Sequence, residues 1–97
     1  MTDAEVTAFV NAAVSYEGWL DSGIIGADRN EGMAKLVLGA ADGATDQSTA
    51  GRQAAGVAAL TKVITDAGDI SEVPADLIAG VTAAGLAAVA GLRAQQS

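Results

Sequence analysis

The sequence predicts an all-α protein: a compact four-helix arrangement with helices at about 2–20, 28–39, 47–67 and 74–94, the last two forming an Ala/Gly-rich hairpin. Three observations predict it. Apolar residues recur at helical spacing in each of these segments. No segment shows the sustained period-two alternation of a half-buried strand. And Leu77 to Leu92 is sixteen residues without a charge, bracketed by Asp76 and Arg93. Ninety-seven residues make a single helical domain, 1–97, with no room for a second core.

The first helix opens at Thr2, whose spacing to Glu5 is that of a capping box. Val6, Phe9, Val10, Ala13, Tyr16 and Leu20 form its apolar stripe, with Asn11 and Ser15 opposite. Glu17 falls inside the stripe and is expected to reach out to solvent or to a cation such as Arg29. Trp19 falls off it, so a core role and an interface role both stand. Asp21-Ser22-Gly23 stops the helix. Ile24 and Ile25 follow, either as a plug into the core, the favoured reading, or as an exposed contact.

Asp28 and Glu31 signal the second helix start. Met33, Leu36, Val37 and Ala40 give its stripe, and Gly39 followed by Asp42-Gly43 gives its end. Asp46, Ser48 or Thr49 can cap the third helix, which buries Val57, Leu60, Val63 and Ile64 and exposes Arg52, Lys62 and Asp66. Gly68 suits its C-cap, residues 69–73 read as a linker, and Pro74 suits a first helical turn.

The fourth helix is two-faced. Leu77, Ile78, Val81, Leu86, Val89 and Leu92 occupy one half of its circumference. Ala79, Gly80, Ala83, Ala84, Ala87, Ala90 and Gly91 occupy the other. The large face is expected to fill the core with Phe9, Leu36 and Leu60; the small face, around Gly80, Ala83, Ala87 and Gly91, is expected to admit a close helix neighbour. Gly80, Gly85 and Gly91 each cost roughly 1 kcal/mol of helix stability relative to Ala, which packing must offset. Asp76 and Arg93 read as charges matched to the two ends of the helix dipole.

Composition narrows function. Of the 51% hydrophobic residues 23 are Ala, and aromatics are 3%, so the core of an isolated chain is thin and burial against a partner is one remedy. The net charge is −7, and residues 1–46 hold eight acids against Arg29 and Lys35. Five scattered cations offer no phosphate-binding footprint, so no nucleic-acid partner is expected. The uncharged run falls short of the ~20 residues of a spanning helix, and no membrane insertion is expected. MTDAEVTAFV lacks the regions of a secretory signal, so a cytoplasmic or virion-associated location is expected.

Chemistry is poorly supplied. His and Cys are absent, which removes the favoured ligands of zinc and copper. Asp28-Arg29-Asn30-Glu31-Gly32 and Asp42-Gly43-Ala44-Thr45-Asp46 both break the EF-hand pattern. No Ser lies in a Gly-x-Ser-x-Gly frame, and no phosphate loop appears. The carboxylate pair Asp42/Asp46 is accounted for by helix-end charge. No catalytic residue, cofactor or metal is expected, and the chain is not expected to be an enzyme.

The expected function is therefore a structural or assembly protein acting through helix-mediated contacts with a protein partner or further copies of itself. The interface candidates are Trp19, Ile24, Ile25, Gly80, Ala83, Ala87 and Gly91. The Ala/Gly richness fits a GC-rich genome such as that of an actinobacterium or its phages. By analogy, a capsid-decorating or head–tail connecting virion component is the expected setting. Two alternatives remain. One is an acidic regulator docking its N-terminal half on a basic protein surface. The other is a membrane-active helical protein inserting residues 77–92 as a hairpin with residues 54–64.

Overall fold

The computed structural model describes residues 1–66 and 73–96. It has four helices and, among the described residues, no strand: α1 (Asp3–Ser15), α2 (Asn30–Asp42), α3 (Thr49–Asp66) and α4 (Ala75–Gln96). They pack compactly, α1 mainly against α4 and α2 mainly against α3, with α3–α4 and α1–α2 contacts closing the arrangement. The expected C-cap at Gly68 and most of the 69–73 linker lie outside the described residues.

The capping box forms as its spacing requires. Glu5 N–H donates to Thr2 Oγ1 at 3.2 Å, and Thr2 N–H donates to Glu5 Oε1 at 2.8 Å. The helix ends sooner than its periodicity suggests, at Ser15 rather than near 20. Tyr16 is extended, and Gly18 takes φ +88°, a conformation that disfavours any side chain. This turn reorders the residues after it. Glu17 is exposed outside the helix, so the conflict expected within the apolar stripe does not arise. Trp19 swings inward and is fully buried, its Nε1–H donating to Asn30 Oδ1 at 2.8 Å. Asn30 Nδ2–H in turn donates to Gly26 O. The indole N–H therefore has the partner that a buried Trp needs.

The start of α2 also differs from the expectation. Asp28 does not cap it; Asp28 lies in a 3₁₀ turn, Ala27–Arg29, that delivers Asn30 to the indole. Its buried stripe is Met33, Ala34, Val37, Leu38 and Ala41. Leu36, expected in the core, is 59% exposed. The apolar positions 33, 36, 37, 38 and 40 fit two stripes about one residue apart, and packing against α1 and α3 selects the one that buries Leu38. Gly39 does not end the helix, which runs on to Asp42 and is capped by Gly43.

Ser48 caps α3, its Oγ accepting from Gly51 N–H at 3.0 Å, and Leu60 and Ile64 reach the core. On α4, Ile78, Val81, Leu86 and Val89 are buried, while Leu77 and Leu92 are half-buried. The close approaches occur at glycines. A Cβ on Gly85 would lie 2.5 Å from Phe9 Cε2 and Cζ, and one on Gly56 would lie 2.8 Å from Thr82 Cγ2. These absences of side chain let α1 and α3 seat against α4.

Thr82 is buried at this α3–α4 contact, and its hydroxyl has no hydrogen-bond partner. An orphaned buried hydroxyl costs about 1–3 kcal/mol relative to an apolar group of the same shape. Thr82→Val is accordingly expected to stabilise the chain by about 1 kcal/mol, raising Tm by about 4–8 °C in thermal circular dichroism.

Candidate functional site: the ionic cluster and the outward face of α4

Two features stand out, both involving the C-terminal half of α4. The first is an ionic cluster that draws on all four helices. Arg93, on the last turn of α4, donates from Nε to Glu5 Oε2 at 2.8 Å, and from Nη1 and Nη2 to the two oxygens of Asp42 at 2.9 Å each. Arg52, on the first turn of α3, donates from Nη1 to Asp42 Oδ1 at 2.9 Å and to Gln47 Oε1 at 2.9 Å. Gln47 fastens the α2–α3 loop by donating to the carbonyls of Ala41 and Ala44. Arg93 is thus a tertiary clamp, and the expectation that it merely complements the helix dipole is corrected. Asp42 likewise does more than terminate α2.

The cluster is partly shielded, with side-chain exposures of 8% for Glu5, 17% for Arg52, 30% for Asp42 and 34% for Arg93. Arg93 holds the Asp42 carboxyl at about 2, with Arg52 adding to the effect against some loss from burial. Glu5 is also lowered, by Arg93 first and by the Thr2 N–H second. Arg93 is raised by both carboxylates, Asp42 before Glu5. Carboxylates so firmly ionised have no proton to donate near neutral pH, and they serve as structural anions.

The second feature is the outward face of α4. Ala79, Ala87, Ala90 and Gly91 are exposed and Ala83 is half-buried, so the solvent side of the helix carries no polar group between Asp76 and Arg93. Beside it an open groove of about 170 Å³ runs between α3 and α4, lined by Thr49, Arg52, Gln53, Leu86, Ala87 and Ala90. With 22 residues and an 18-residue window of mean hydropathy 1.8, α4 is long and apolar enough to cross a membrane by length and composition alone. The shortness inferred from the uncharged run does not carry over to the helix as folded.

The interface candidates therefore separate. Trp19 and Ile25 are buried in the chain's own core and offer no surface: Ile25 is the favoured plug into the core, and Trp19 takes the core role of the two open to it. Ile24 is half-buried against that core. Gly80 is covered by the Tyr16 hydroxyl, so its close neighbour comes from the same chain. Ala83, Ala87 and Gly91 remain on the outward face, and a Cβ at Gly91 would meet nothing within 4 Å.

Sequence reasoning missed the ionic cluster, whose pairs span 51 and 88 residues. The signal available was positional. Glu5, Asp42, Arg52 and Arg93 each lie within about a turn of a helix end, and an antiparallel arrangement brings those four ends together. Among the described residues, no group of three or more Asp or Glu is placed to hold a metal ion. No family model, curated protein or solved structure matches this chain.

Proposed function

We propose that this protein is a non-enzymatic assembly subunit that associates with further copies of itself through the outward face of α4. The observation that supports this reading is the mismatch between composition and burial. In an 18-residue window of α4 with mean hydropathy 1.8, 33% is buried within the chain, and Ala79, Ala87, Ala90 and Gly91 face solvent. A solvent-facing helix surface ordinarily carries polar side chains, and a contiguous apolar one suits a contact site. Ala and Gly there let a partner backbone approach closely, so that dispersion contacts can accumulate. A virion component, decorating a capsid or connecting head to tail, is the finer form of this proposal, supported by composition alone.

Sedimentation across a concentration series tests it. The expected mass rises above the 9.5 kDa of one chain. Ala87→Glu, at an exposed position, is expected to return the protein to a monomer of unchanged helix content. A wild-type chain that stays monomeric at millimolar concentration ends the reading. The same helix also suits a membrane by length, and vesicle flotation separates the two. The assembly reading requires the protein to stay in the soluble fraction, because insertion would strip Arg93 from Glu5 and Asp42.

A further inference from the structure

The ionic cluster has a geometry that goes beyond a set of favourable pairs. Arg52 Nη1 and Arg93 Nη1 both donate to one oxygen, Asp42 Oδ1, at 2.9 Å. Two nitrogens so placed lie within about 6 Å of each other, a distance at which unscreened cations repel. Asp42 is the anion the two share, whereas Glu5 pairs with Arg93 and the Gln47 amide oxygen accepts from Arg52. Beyond Val89, the last buried side chain of α4, Leu92 and Arg93 are half-buried and positions 90, 91 and 94–96 are exposed. The cluster ties the last turn of α4 to the start of α1 and the end of α2. Val6 and Ala41, next to Glu5 and Asp42 in the chain, are buried.

We propose that the cluster of Glu5, Asp42, Arg52 and Arg93 is an acid-operated latch on the C-terminal end of α4, with Asp42 as its keystone. Protonating Asp42 removes the shared anion and leaves two guanidinium groups facing each other. The end of α4 then lifts from α1 and α2 while the rest of the bundle stays packed. The charged groups that face Asp42 are Arg93 on α4 and Arg52 on α3; Glu5, at the start of α1, joins the cluster through Arg93 and is itself faced by the N-terminal ammonium. Glu5 also loses charge in acid, so the cluster becomes steadily more cationic. The arginines lower the Asp42 pKa from near 3.8 to about 2. A lowered carboxyl stabilises the closed state at full strength above the unfolded value and loses it as pH falls through the folded one. The latch is thus shut above about pH 4 and opens toward pH 2.

Amide hydrogen exchange on the full chain tests this. Between about pH 5 and pH 2.5, corrected for intrinsic exchange, protection at residues 90–93 is expected to fall at least about tenfold while amides 33–38 and 57–64 keep theirs. Asp42→Asn is expected to show the loosened end already at neutral pH, with most of its further acid response gone. If the α4 end and the core lose protection together in the wild type, the cluster contributes only to global stability and the latch is refuted. Wild-type protection at residues 90–93 in Asp42→Asn refutes it equally. The wild-type titration needs no variant and decides the question even if Asp42→Asn folds poorly.

Discussion

Replacing Trp19 by alanine is expected to destabilise the chain by about 3–5 kcal/mol, the range for removing a buried aromatic. Trp19 has the largest of the fully buried side chains, in a core with only two other aromatic residues to share its volume. A domain of this size has a total stability of about 5–15 kcal/mol, so the loss takes a large part of it. Trp19→Phe separates volume from hydrogen bonding. It keeps most of the ring but leaves Asn30 Oδ1 buried without its indole donor. An orphaned acceptor of that kind costs about 1–3 kcal/mol. Urea unfolding followed by circular dichroism is the appropriate measurement, because Trp19 is the only tryptophan and its fluorescence disappears with it. A loss below about 1 kcal/mol in Trp19→Ala would show that the Gly18 turn does not seat the indole as described.

The second large effect lies where α1 meets α4. Phe9 is fully buried, and its ring edge occupies the space a side chain at Gly85 would need. Phe9→Ala is expected to cost about 3–5 kcal/mol by leaving a cavity. Gly85→Leu alone is expected to cost about 1–3 kcal/mol or more by overpacking, since its branched side chain must displace the Phe9 ring, although leaving glycine recovers roughly 1 kcal/mol of helix propensity. Combined, the two changes partly cancel, because leucine enters the space the ring vacates. The double variant is expected to be more stable than the sum of the single losses by about 1–3 kcal/mol. Additive losses in chemical denaturation would mean that Phe9 and Gly85 do not share a site.

These residues also show how far the sequence can be read. Four helices, their order and the capping box at Thr2 follow from spacing, because periodicity and local hydrogen bonding are written into neighbouring residues. The faces of α4 follow as well, with Ile78, Val81, Leu86 and Val89 inward and Ala87 and Gly91 outward. What was not legible depends on tertiary competition. Tyr16 continues the apolar stripe of α1, yet the helix stops before it, since burying the Trp19 indole next to Asn30 outweighs another helical turn. Leu36 and Leu38 both fit a helical stripe, and only packing against two neighbours chooses between them. Arg93 could be assigned a role from its own helix alone. Its actual partners come from helices whose relative placement no local pattern encodes. The outward face was legible as a surface of small residues because their spacing along one helix places them together.

The bond between Arg93 and Glu5 joins residues 88 apart, and the most extensive helix pairing is between the first helix and the last. Helical bundles usually fold fast because their contacts are local. Here the ring of Phe9 finds its glycine seat only after nearly the whole chain has been made, so the first helix waits with an apolar stripe uncovered. The loop-closure entropy for that pairing is spent late and all at once. A segment ending before α4 leaves Phe9 without its seat at Gly85 and is expected to aggregate more readily than a chain that includes α4.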